Sequence, residues 1–129
     1  MKVKFGVVML LFFMATSCVK SQNDKVQVVN ATIFEEKMKE EGVQLIDVRT
    51  PQEFASGHLP NAVNINISDP DFEEKMQGLD KNKPVLVYCK SGGRSGRACS
   101  QLKDLEFTTI IDLDGGITDW QASGKPIEN

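Results

Sequence analysis

From Val26 onward, short apolar runs give way repeatedly to segments with helical spacing. Val26 to Val29 is a β-type run. Thr32-Ile33-Phe34-Glu35 has capping-box spacing and predicts a helix through about Glu41, closed by Gly42. VQLIDV, residues 43–48, reads as a strand, and Thr50-Pro51-Gln52-Glu53 as a second capping box with proline at the first helical position, giving a short helix to Ser56 and a stop at Gly57. AVNINI, residues 62–67, is the next predicted strand and residues 71–79 the next helix; a polar turn, DKNK, precedes a strand over residues 84–88. Residues 95–105 place Ala98, Leu102 and Leu105 on one face of a helix, TTIIDL at 108–113 is a β-branched strand, and residues 118–123 form a last short helix around the only tryptophan, Trp120.

Strands that alternate with helices at this spacing predict an α/β fold, with a small, mainly parallel five-stranded sheet covered by helices on both faces. In such sheets ligands bind beyond the carboxyl ends of the strands. Cys89 stands at one such end.

The chain of 129 residues is long enough for one domain, and its 40% hydrophobic and 26% charged residues suit a globular protein. Its first residues follow a different pattern. Lys2 and Lys4 precede an apolar run from Phe5 to Met14 and then small residues, the order of a secretory signal peptide over residues 1–17. A membrane span needs roughly 20 apolar residues, and the run breaks at Ala15-Thr16-Ser17. Cys18 directly after these residues resembles a bacterial lipobox, with Ala15 where leucine is commonest. That resemblance implies a lipidated Cys18, a polar tether over residues 18–25, and a domain over residues 26–129 held at a membrane of the cell envelope, periplasmic or surface-exposed. Without Lys2 and Lys4 the formal charge moves from −3 to −5. An acidic chain with no basic stripe excludes a nucleic-acid partner. One histidine and no closely spaced cysteine pair predict no metal site, and SGGRSG lacks the G-x-G-x-x-G order of a dinucleotide site. No cofactor is expected, and a monomer is.

The candidate chemistry lies in VLVYCKSGGRSGRA, residues 85–98. Glycines let consecutive backbone amides turn inward, and a helix start directs free amides and its positive dipole end at the same spot. Lys90, Ser91, Gly92, Gly93, Arg94 and Ser95 therefore predict an anion-binding nest around Cys89, to which Arg94 adds a permanent charge and a planar donor fork. In that setting the thiol is expected to be depressed toward the thiolate, the form that attacks. The alternative is a buried strand-end cysteine. Strand end, glycine pair, arginine and helix start coincide within a few residues, which favours the nest.

CKSGGRS resembles the active-site loop of the rhodanese (thiosulfate sulfurtransferase) family, Cys-x-x-Gly-x-Arg-Ser. LIDVRTPQEFASGHLPNAVNI resembles that family's first signature, and LDGGITDW followed by SGKP its closing one. The resemblance implies that Cys89 takes the outer sulfur of thiosulfate or a similar donor as a persulfide and passes it to cyanide or a thiol. It implies that the amides of residues 90–95 cradle the persulfide, and that Arg94 binds the donor or steadies the loop. Lys90 and Arg97 add positive potential at the mouth. Phosphatases resembling this fold place five residues between cysteine and arginine; here there are four, Lys90 to Gly93, a bowl suited to a single sulfur atom.

His58, the only histidine, lies in a turn and is expected to be structural, because a pre-ionised thiolate needs no base. Arg49 and Glu53 read as scaffold, and Asp47, at a strand end, as a residue supporting the site from behind. Cys99, beside Ala98, is expected to be a buried structural thiol. Two rival functions stay open: a non-catalytic rhodanese-type binding module, and a redox protein using Cys89 and Cys99.

Overall fold

The computed structural model describes residues 25–129; the predicted signal peptide, Cys18 and all of the tether but Lys25 lie outside the described residues. The elements follow in the order β1 (Val26–Val29), α1 (Ala31–Met38), β2 (Gln44–Asp47), α2 (Pro51–Ser56), β3 (Val63–Asn64), α3 (Phe72–Gln77), β4 (Val85–Tyr88), α4 (Gly93–Asp104), β5 (Ile110–Leu113) and α5 (Gly116–Ala122). The strands form one sheet in the order β1-β5-β4-β2-β3. Every pairing is parallel.

Strand periodicity divides the core into two layers. Val85, Val87 and Cys89 face one side with Ile46, Val48 and Ile110, where Phe72 and Met76 of α3 and Ala98, Cys99 and Leu102 of α4 cover them. Leu86 and Tyr88 face the other side with Leu45, Ile111 and Leu113, under Ala31 and Phe34 of α1 and Ile117 and Trp120 of α5. Fully burying an apolar side chain of this size contributes about 1.5–3 kcal/mol. With both faces covered, β4 and β5 are buried at all four of their positions.

Element boundaries differ from the sequence expectation in instructive places. Asn30, not Thr32, caps α1, its side chain accepting from the Ile33 amide at 2.9 Å. The Thr32 spacing matched a capping box, but Asn is as good a cap and stands directly after β1. The box at Thr50 is present as expected: Thr50 and Glu53 satisfy each other's backbone amides. β3 is only two residues long. Helices α4 and α5 begin at Gly93 and Gly116, each two residues earlier than their first good helix formers suggest.

Candidate active site

Cys89 follows β4 immediately, at the carboxyl end of a strand flanked by β5 and β2, and its side chain is buried. Its main chain is clamped from the neighbouring helix start. The amides of Ile117 and Thr118 in α5 donate to the carbonyls of Cys89 and Lys90 at 2.9 and 3.1 Å. Gly116 permits that approach: its φ is +58°, and a Cβ there would stand 2.5 Å from both carbonyl oxygens. No side chain fits, and the left-handed backbone itself favours glycine.

The loop then bends over the sulfur. Gly92, at φ +123°, turns its amide onto Cys89 Sγ at 3.0 Å. Ser95, in the first turn of the 12-residue α4, places Oγ 3.4 Å from Sγ and 3.2 Å from the Gly92 carbonyl, to which it donates. Burial by itself pushes the Cys89 thiol up; hydrogen bonds from the Ser95 side chain and from the Ser95, Gly92 and Ser91 amides outweigh it, and the thiol falls below its ordinary value. Ser91 and Gly93 are exposed and serve through the backbone, and Lys90 and Arg97 are exposed cations beside the loop.

Arg94 points its fork at Glu53, with Nη1 and Nη2 at 2.6 and 2.9 Å from the two carboxylate oxygens. The guanidinium holds Glu53 well below the usual carboxylate range, at about 2. Glu53 also accepts from the Thr50 amide and hydroxyl. One carboxylate therefore both caps α2 and braces the loop, a pairing across 41 residues that a local capping pattern does not reveal.

Asp47 stands behind the site rather than in it. Its carboxylate, fully buried, accepts from the Arg49 amide at 2.9 Å and from the Arg49 guanidinium at 2.7 Å. Arg49 also donates to the Gly57 carbonyl and lies 5.7 Å from the centre of the Tyr88 ring. The pair ties the end of β2 to the end of α2, and Asp47 reaches the loop as a charge felt by Arg94. His58 stacks on Phe54 at 3.8 Å, bonds through Nδ1 to the Phe54 carbonyl and bridges to Glu128. Trp120 is buried against Phe34 and donates to the Pro126 carbonyl.

Cys99 is buried beneath the loop, and burial, with Asp112 and Cys89 nearby, pushes its thiol up. Asp112 escaped the sequence reading. It is a buried carboxyl beside Ser95, and the only signal for it was an acidic residue inside the apolar strand TTIIDL.

The fold and this loop define a class of small parallel α/β domains built around one activated cysteine at a strand end. The chain belongs to the rhodanese-like family, whose domain matches residues 30–123. It is 36% identical over 103 residues to the putative sulfurtransferase YtwF of Bacillus subtilis, covering 79% of this chain and 97% of that protein. It is likewise 36% identical over 87 residues to the thiosulfate sulfurtransferase GlpE of Pseudomonas syringae pv. syringae, covering 67% of this chain and 79% of that one. A rhodanese-related protein from Thermoplasma volcanium superposes with a TM-score of 0.71 at 34% identity, over 79% of this chain and 97% of its own.

Proposed function

We propose that this protein is a sulfurtransferase that carries sulfane sulfur on Cys89, with thiosulfate or a similar anion as donor and cyanide or a thiol as acceptor. The observation that carries the reading is the convergence of the Gly92 amide and the Ser95 hydroxyl on a buried sulfur whose ionisation they favour. The Cys89 thiolate attacks the outer sulfur of thiosulfate; the new S–S bond forms as the bond to the sulfonate sulfur breaks, and sulfite leaves with that electron pair. Cyanide then attacks the outer sulfur of the persulfide, thiocyanate leaves and the thiolate returns. The loop amides offer the same donors to thiolate and persulfide, so both resting forms are held. Sulfurtransferase relatives at about 36% identity support the reaction class.

Arg94 steadies the loop through Glu53, and the exposed Lys90 and Arg97 draw the anionic donor to the mouth. The redox rival asks Cys99 to act as a resolving thiolate, which its burial and raised thiol oppose. Incubation with thiosulfate followed by cyanide should yield thiocyanate and, before cyanide, a mass gain of one sulfur on the Cys89 peptide. Both signals should vanish in Cys89→Ser and survive in Cys99→Ala. A wild type that neither gains sulfur nor turns over would refute the sulfurtransferase reading.

We propose in addition that the chain is exported and lipidated at Cys18, the reading that the N-terminal pattern supports. Partitioning into detergent should be lost in Cys18→Ala; equal partitioning of both proteins would refute the anchor.

A further inference from the structure

Strand polarity separates the place where the chain enters the domain from the place where its sulfur lies. All five strands run the same way, and Val26 of β1 and Val85 of β4 are both level with Ile110 of β5. Lys25 therefore stands one residue below that level and Cys89 four above it, on strands with β5 between them. At about 3.3 Å per residue the offset along the strands is about 16 Å, with about 10 Å more across the sheet. The chain enters at the amino end of the sheet. The loop over the sulfur opens at the carboxyl end.

The entry point is fixed. The Lys25 carbonyl accepts from the Ile110 amide at 2.9 Å, and at the same end the Lys81 carbonyl accepts from the Thr108 amide at 3.0 Å. The exposed Lys25, Lys81 and Lys83 stand there against the exposed Glu41, Asp80 and Glu106, so charge balances at this end. Helix α3 offers the opposite case, an acidic face on which Asp71, Glu73 and Glu74 are exposed around the single cation Lys75. Of the two surfaces, the amino end approaches phospholipid headgroups without repulsion.

Seven residues carry the chain from Cys18 to Lys25. Fully extended they span at most about 25 Å. With Cys18 held in the headgroups, turning the Cys89 mouth onto the bilayer would lift Lys25 by about 16 Å or more and lead the tether around the flank of the domain, using most of that reach. Leaving the amino end down uses little of it.

We propose that the amino end of the sheet is the surface this protein turns toward a phospholipid bilayer, with Cys89 opening to water, so that its sulfur donor and acceptor are water-soluble species and not molecules carried in the bilayer. The inference rests on the reading of Cys18 as lipidated. In this orientation the exposed Lys90 and Arg97 beside the loop face the solution from which an anionic donor arrives.

The test places the lipidated mature protein on phosphatidylcholine vesicles that contain a lipid with an iodoacetamide headgroup. Lys81→Cys adds a thiol at the amino end, and mass spectrometry of the two peptides follows alkylation there and at Cys89. Each rate is divided by the rate with soluble iodoacetamide, which removes the difference in thiol reactivity. On this scale the lipid should capture the Lys81→Cys thiol about tenfold faster than Cys89, because a group that the tether holds away from the bilayer has little effective concentration there. Soluble iodoacetamide should reach Cys89 as fast on vesicles as in detergent. Lys25→Cys reads the same end should Lys81→Cys not fold. Lipid capture of Cys89 as fast as at the amino end, or a severalfold fall in its soluble alkylation on vesicles, would overturn the orientation. A protein that stays off the vesicles would instead remove the anchor, and the proposal with it, so the two failures are distinct.

Discussion

Replacing Gly116 with alanine should do more damage than its distance from the sulfur suggests. The added Cβ meets the Cys89 and Lys90 carbonyl oxygens at 2.5 Å, and both belong to backbone that no rotamer change can move. A non-glycine residue at this φ of +58° costs about 1–2 kcal/mol. Overpacking adds about 1–3 kcal/mol. Relieving the clash lengthens the hydrogen bonds from Ile117 and Thr118, each contributing about 0.5–1.5 kcal/mol. These effects overlap, and a loss of about 3–4 kcal/mol is expected. For a domain of this size that lowers Tm by about 12 °C or more. Cys89 alkylation near neutral pH should slow as well, because the clash pushes the loop that carries its amide donors.

The control is Gly96→Ala. Gly96 lies inside α4 with open space where the Cβ would go, so it should gain about 0.5–1 kcal/mol from alanine's helix preference. Denaturant titration of the three proteins reads both signs at once. A Gly116→Ala protein within 1 kcal/mol of wild type, with unchanged alkylation, would show that α5 does not hold the loop.

Glu53→Gln should flatten the acid side of the stability profile. The carboxyl is held at about 2 in the folded chain, below its ordinary value, so its contribution is present above that ordinary value and is lost as pH falls toward 2. Wild type should therefore lose more stability than Glu53→Gln between about pH 4.5 and 2, and parallel profiles would refute the Arg94 brace. Tyr88→Phe should cost about 1–3 kcal/mol by orphaning the buried Leu59 amide, which donates to the Tyr88 hydroxyl at 3.0 Å, while sulfur loading of Cys89 is unchanged. Cys99→Ala should lose about 1 kcal/mol for a removed buried atom and keep its rate of thiocyanate formation within about twofold; a larger loss of rate would bring the redox rival back.

The elements most plainly legible in the sequence were those specified locally. The Thr50 box, the proline behind it and the buried run of β4 each depend on residues close together in the chain, and the structure places all three as their patterns predict. The loop thiol was legible for the same reason, since strand, glycines and helix start are consecutive. Arg94 shows the limit. Its fork was expected to bind the donor or steady the loop, and its partner turned out to be Glu53, a residue whose role in its own helix already accounted for it. Asp112 shows another limit: burial of a carboxyl depends on α4 lying over β5, which no single window of sequence contains. The sequence expectation starts α4 and α5 two residues late because glycine is a poor helix former, and Gly116 is there for the close approach of the Cys89 and Lys90 carbonyls rather than for propensity.

The clamp on the Cys89 carbonyl has a consequence for the order in which the chain is made. Glu53, which braces the loop, precedes the nucleophile, but the amides that clamp the Cys89 and Lys90 carbonyls, those of Ile117 and Thr118, follow it, and Glu128 closes the turn around His58 later still. A ribosome-bound chain that has released Cys89 but not residues 116–129 carries a thiol whose loop is not yet clamped. Such a chain meets oxidants and sulfur donors as an ordinary cysteine would. The loop around the thiol is thus complete only after α5 has docked.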